Sequence, residues 1–205
     1  MEGIKMTSVS MMNEVVSDIM GVDRTIASQY SRQLLNSGLL PKSRGRAVAS
    51  VTPKHVLRLI VAIGLGTKYH EAPDAVSKYL SLRLDGMPPT APDYMRGTVE
   101  TRLLYSFMMV IAPQELIPEG LIAHRLAERN LRYEFLISWP QVFVHDPESS
   151  PESYKESGKL PGHLEGCFYR SFTLSCYLFD EFCDWDFGFT PEFWADCFKN
   201  LEGKA

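Results

Sequence analysis

The 205 residues contain no apolar run near the ~18 to 20 residues that a membrane-spanning helix needs, the longest stretch, Leu57 to Leu65, being interrupted by Arg58. No membrane partner is expected. The opening residues, Met1-Glu2-Gly3-Ile4-Lys5, lack the basic start and apolar core of a secretory signal, so a cytoplasmic protein is expected. Cysteine is scarce and late. Cys167, Cys176, Cys183 and Cys197 lie nine, seven and fourteen residues apart, without the close couple of a tetrahedral zinc site. Reduced, buried and inert thiols are the expectation. Missing too are a G-x-x-x-x-G-K-[ST] phosphate loop, a dinucleotide glycine fingerprint and a serine elbow, which argues against the commoner enzyme classes. Gly64-Leu65-Gly66 lacks the third glycine of that fingerprint and follows a helical pattern, so it reads as a helix stop. The histidines (His55, His70, His124, His145, His163) have no acid or cysteine at ligand spacing. No catalytic residue, metal site or cofactor is expected, and the chain reads as a non-enzyme.

The net charge of -4 conceals an asymmetry. Residues 1 to 70 carry nine Lys or Arg against four acids, a net of +5, which leaves -9 for the remainder. Salt screens surface charge beyond roughly 10 Å, so a basic head can attract phosphates despite an acidic body.

The head shows helix signals in close succession. Val15, Val16 and Ile19 mark a helix from Ser8 to Met20, and Gly21 directly after it can take the positive φ of a sharp turn. Asp23 stands where an N-cap belongs, and Ile26, Tyr30 and Leu34 recur every four residues as the core side of a second helix ending near Asn36. The other side of that helix carries Arg24, Thr25, Ser28, Gln29 and Arg32, side chains able to bond phosphates or base edges. Ser37-Gly38-Leu39-Leu40-Pro41 then stops the helix. Lys42-Ser43-Arg44-Gly45-Arg46 is short, basic and glycine-containing, which predicts a hairpin wing. Thr52 caps and Pro53 opens a third helix through Ile63, with Val56, Leu57, Leu59 and Ile60 apolar.

Read in this order, Val16 to Leu40 resembles the helix-turn-helix core of winged-helix proteins, including the MerR-type head, and the wing and third helix follow in the same sequence. The layout is similar to uncharacterised winged-helix proteins of bacteriophages and prophages. The likeness covers the first third of the chain, with neither the coiled coil nor the effector cysteines of MerR proteins. It implies a sequence-specific transcriptional regulator with a double-stranded DNA partner, a reading face of Arg24, Thr25, Ser28, Gln29 and Arg32 with base contacts mainly from the last four, phosphate contacts from Lys42, Arg44 and Arg46, and a homodimer, since one such head buries too little surface for tight specific binding. A small terminase-type packaging adaptor shares such a head and stands as one alternative. An inhibitor or adaptor acting through an acidic C-terminal surface stands as another.

From Ala72 the texture changes. Helices are expected over Pro73 to Leu82, Val99 to Ile111, Gly120 to Asn130 and Pro191 to Phe198, with a linker from Asp85 to Pro92. Arg132 to Ser138 and Gln141 to His145 predict two strands, parted by Trp139-Pro140 in a manner that suits a sheet edge. Asp146 to His163 reads as a loop, and Cys167 to Phe179 returns to aromatic and aliphatic alternation. The acids Asp180, Glu181, Asp184 and Asp186, interleaved with aromatics, suggest a half-buried edge or a partner-binding patch rather than a metal site. The fold class expected is α+β: a winged helix-turn-helix over residues 1 to 70, then a mixed helical domain with a small antiparallel sheet over 71 to 205, used for dimerisation or a protein partner.

Overall fold

Ser8 begins the first helix as an extended N-cap whose hydroxyl accepts the Met11 N–H at 3.2 Å, an interaction worth about 1 kcal/mol. The computed structural model describes residues 4–5, 8–42, 50–84, 97–137, 140–147, 151–155, 170–183 and 185–202. Helix α1 spans Val9–Met20, and Gly21 ends it in the left-handed region at φ 63, with the Val22 N–H returning to the Ser17 carbonyl. Helix α2, Arg24–Asn36, starts on Asp23. Helix α3, Pro53–Leu65, begins with Thr52 and Pro53 and ends at Gly66, φ 59. The starts of all three and the ends of α1 and α2 are those expected, while α3 runs two residues past the expected Ile63.

Helix α4, Ala72–Leu80, then packs on α3. Helices α5, Val99–Ile111, and α6, Ile122–Asn130, follow with two short 3-10 turns between them, and α7, Pro191–Glu202, is the last helix. Two residues, Ile4–Lys5 (β1), pair in parallel with Trp185–Asp186 (β7), which ties the start of the chain to its C-terminal part. The remaining strands are β2 (Arg83–Leu84), β3 (Arg132–Leu136), β4 (Gln141–His145), β5 (Glu152–Lys155) and β6 (Ser171–Ser175). They form one antiparallel sheet in the order β2-β5-β4-β3-β6. The protein is α+β, as expected.

One face of the sheet is apolar. Tyr133 stands opposite Val144 and Leu174, and Phe135 opposite Val142 and Phe172. The other face carries Arg132, Glu134, Ser153 and Thr173, with Glu134 paired to His145 at 3.1 Å, so water meets one side and the helices the other. Tyr79 of α4 docks on the end of β3 by donating its hydroxyl to the carbonyls of Leu136 (2.5 Å) and Ile137 (2.9 Å). Burial pushes its pKa up to about 12. At the other end of the body, Phe107 of α5 meets Phe179 edge-on at 4.9 Å and lies 5.4 Å from Phe182 and 5.9 Å from Phe187. The aromatic half of the acidic-aromatic segment is therefore core.

Several expectations need correction. The stretch read as a loop from Asp146 to His163 contains β5, because Tyr154 is buried there opposite Val142 and the backbone bonds are completed by β4 and β2. Strands β3 and β4 are interior, with Pro140 in the connection before β4 rather than in an edge strand. Ile26 is 36% exposed and is not core; the buried side of α2 is Ala27, Tyr30, Ser31 and Leu34. Cys183 is exposed, whereas Cys176 is buried and its thiol is pushed up by burial and by Glu128, which keeps it protonated. The expected linker from Asp85 to Pro92 lies outside the described residues, as do Cys167 and His163.

No break in packing marks residue 70. A single core cluster runs from Met12 through α3 to Phe198, and α3 touches α1, α2, α4, α5 and β6. Gly64, read as part of a stop signal, lies inside α3, where an added methyl would overlap the Phe172 ring. Phe172 in turn lies 5.6 Å from Phe135. Gly64→Ala therefore sets a helix-propensity gain of about 1 kcal/mol against an overpacking cost of about 1 to 3 kcal/mol. Denaturant unfolding should find the substitution destabilising in the native background and stabilising once Phe172→Ala has removed the ring. The same sign in both backgrounds would contradict the close contact.

Candidate nucleic-acid interface

The polar side of α2 is set by what its opposite side must bury. Ala27, Tyr30, Ser31 and Leu34 follow the spacing of one helical face and pack toward α1 and α3. Tyr30 donates to the Thr67 carbonyl at 2.7 Å and meets Tyr69 edge-on at 4.8 Å; Ser31 donates to the Asn13 side chain of α1. With that side held, Arg24, Thr25, Ser28, Gln29 and Arg32 all lie exposed on the other. Lys42 is exposed as well, its ammonium 3.4 Å from the Asn36 carbonyl. Arg44 and Arg46, with the rest of the expected wing, lie outside the described residues. The five polar positions on α2 are thus brought together as the period implied.

The start of α2 is fixed by Asp23, whose carboxylate accepts the Thr25 N–H at 2.6 Å. Hydrogen bonds from the Thr25 side chain and backbone lower the pKa of that carboxyl. Arg24 reaches back to α1, 2.9 Å from Glu14 and 3.4 Å from Asp18. All three side chains are more than half exposed, so each pair is worth about 0 to 1 kcal/mol and an incoming phosphate can compete for the guanidinium. Ile26 adds an apolar side chain to the same surface, of the kind that meets a thymine methyl. Periodicity at every fourth residue had placed it in the core.

The basic excess of the head is partly neutralised within the fold. Glu100 of α5 holds Lys54 and Arg58 of α3, each at 2.8 Å, and Arg58 also donates to the Leu39 carbonyl at 2.8 Å. Lys68 lies 3.8 Å from Glu71. Among the described basic side chains of residues 1 to 70, Arg32 and Lys42 are those with no carboxylate partner. No charge count along the chain reveals this.

No family model, curated protein or solved structure matches this chain.

A second polar cluster was not expected. Glu128 of α6 is buried and accepts from Arg102 at 2.8 Å and from Ser106 at 2.5 Å, while Ser106 also lies 2.7 Å from the Tyr133 hydroxyl. Arg102 lies 3.8 Å from Glu152, which accepts the Tyr154 hydroxyl at 3.2 Å. The sequence signal was Arg102 and Ser106, one turn apart in a strongly apolar helix. With the Ser106 and Tyr133 hydroxyls and the Glu128 Oε2 atom all engaged and Cys176 protonated beside them, the cluster joins α5, α6, β3 and β5. Two acids of the acidic run are likewise engaged, Asp180 holding Arg129 at 2.6 Å and Asp186 accepting the Gly188 N–H at 2.6 Å, while Glu181 is exposed. Asp184 lies outside the described residues.

His55 is a cap rather than a ligand. Its Nδ1 accepts the Thr52 N–H at 3.0 Å, which requires the neutral ring. Burial, then Arg58 and Lys54, lower its pKa below the ordinary 6.5, with Glu100 opposing. The folded state therefore binds this proton less readily than the unfolded chain. Its contribution to stability is complete above about 6.5 and is lost as pH falls through the lower folded value. His55→Gln, which keeps an acceptor at the third helical position, should flatten the fall in unfolding free energy below pH 6.5. An unchanged slope in the variant would show that His55 does not carry it.

Proposed function

We propose that the chain is a duplex-DNA-binding regulator, non-catalytic, that reads sequence with the exposed side of α2. What supports this is the joint exposure of Arg24, Thr25, Ser28, Gln29 and Arg32 on one side of a helix whose other side is locked by α1 and α3. Thr25, Ser28, Gln29 and Arg32 serve as donors and acceptors for base edges, Ile26 as an apolar contact, and Arg24 and Lys42 as phosphate contacts. The residues outside the description, Arg44 and Arg46, add to the phosphate set in this reading. A sharp turn of Gly21, Val22 and Asp23 between two helices is the spacing of a helix-turn-helix.

Binding as a homodimer belongs to the same proposal, since two half-sites multiply an affinity that one small head supplies poorly. The body offers apolar surface for it. Ile122 and Leu126, one turn apart on α6, and Tyr177 beside that helix are exposed. An inhibitor acting through free C-terminal acids is less well supported, because Asp180 and Asp186 already have partners.

Titration of the full chain into a pool of random-sequence duplexes should give binding that weakens with salt. Lys42→Ala should lower the salt slope by about one. Arg32→Ala, if it contacts a base, should cost about 1 to 3 kcal/mol on a selected sequence and much less on the unselected pool. Salt-insensitive or absent binding, with the fold intact by circular dichroism, would overturn the proposal.

A further inference from the structure

The five-stranded sheet ends at β6, and among the described residues no strand pairs with its far side. The register settles which backbone groups that leaves open. Ile137 donates its N–H to the Arg170 carbonyl, and Cys176 donates to the Leu131 carbonyl. With Phe135 opposite Phe172 and Tyr133 opposite Leu174, the alternation of an antiparallel ladder gives the β3 bonds to Phe172 and Leu174. The N–H and C=O groups of Ser171 and Thr173, and the N–H of Ser175, point the other way, the Ser175 carbonyl being turned into the 3-10 helix that it caps. Thr173 and Ser175 line a groove of about 630 Å³, whose further lining includes Asp18, Ile19 and Met20 at the end of α1, and Leu178 and Glu181 after β6.

We propose that this groove binds an extended peptide segment of a partner protein, which adds to the sheet as a strand beside β6 and carries a basic side chain. The backbone supplies the first half of the argument: a row of donors and acceptors left open among the described residues is completed by another extended chain, and by little else. The lining supplies the second. Ile19, Met20 and Leu178 offer apolar contact for alternate side chains, and the charged residues lining the groove, Asp18 and Glu181, are both acidic. A second copy of this chain fits less well, because antiparallel pairing of β6 with itself brings the two acidic linings together, and like charges so placed are destabilising. Asp18 also lies 3.4 Å from Arg24, which puts an occupant of the groove one ion pair away from α2. The inference does not depend on what α2 binds.

The test is amide hydrogen exchange, read by NMR on the full chain, with an acetylated Lys-Val-Thr-Val-Thr-Val-Lys amide peptide as probe. Saturating peptide should slow exchange at Thr173 and Ser175 by about tenfold or more, as newly bonded edge amides do. The same peptide N-methylated at alternate residues should not. Glu181→Gln should weaken binding and its salt dependence. Thr173→Pro should weaken binding while leaving the β3 bonds intact, since an edge strand tolerates proline where the N–H faces outward. Unchanged exchange with the probe, or equal effects of the methylated peptide, would overturn the proposal without involving any variant. So would protection of Thr173 in the chain alone: loss of that protection on dilution would identify a second copy as the occupant, and its persistence would identify the chain itself.

Discussion

Burial of α3 on nearly every side is the constraint from which the rest of the architecture follows. Val56, Leu57, Leu59, Ile60, Val61, Ala62 and Leu65 are all within 1% of complete burial, and a helix apolar around most of its circumference has to be enclosed. Helices α1 and α2 cover part of it, α4 and α5 another part, and Phe172 of β6 closes over Gly64. Truncating a side chain such as Leu59 or Ile60 in such a site costs about 2 to 5 kcal/mol, a large share of the stability of an ordinary domain. The N-terminal helices and the sheet are consequently two coats on one helix.

That arrangement changes what the charge of the head means. Lys54 and Arg58 are the basic side chains of α3, and Glu100 of α5 meets both. Their charge serves to join α3 to α5 and, through Leu39, to the end of α2. With one carboxylate against two cations, the trio keeps a single net positive charge for any long-range attraction toward phosphates. Arg32 and Lys42, which have no carboxylate partner, and the weakly held Arg24 are the described basic side chains of the head left most available to an anion.

What the sequence made legible was local chemistry. Ser8, Gly21, Asp23 and Thr52-Pro53 each act within one turn of themselves, and the helix ends they imply are the ends observed. The polar side of α2 was legible for the same reason, although Ile26 was misplaced because a four-residue repeat drifts around a helix of 3.6 residues per turn. The rest depends on partners far along the chain. β5 lies in a stretch rich in proline and charge and is a strand only because β4 and β2 flank it. The parallel pairing of Ile4–Lys5 with Trp185–Asp186 joins the two ends of the sequence, and the Arg102–Glu128 pair spans twenty-six positions. Periodicity carries no information about such meetings. The role of Gly64 was hidden likewise, since a glycine near a helix end looks like a stop until the ring that needs its missing Cβ is in place.

The central claim is that the N-terminal helices and the sheet are parts of one cooperative unit built around α3. Native-state hydrogen exchange, followed from zero to moderate denaturant, tests it most directly through the amides of Leu59 and Ile60 in α3 and of Tyr133 and Phe135 in β3. The account predicts that their opening free energies converge on a single value with a single denaturant slope. If the α3 amides instead opened at a distinctly lower free energy and a shallower slope while the β3 amides stayed protected, the N-terminal helices would be a separate unit and the account would be wrong.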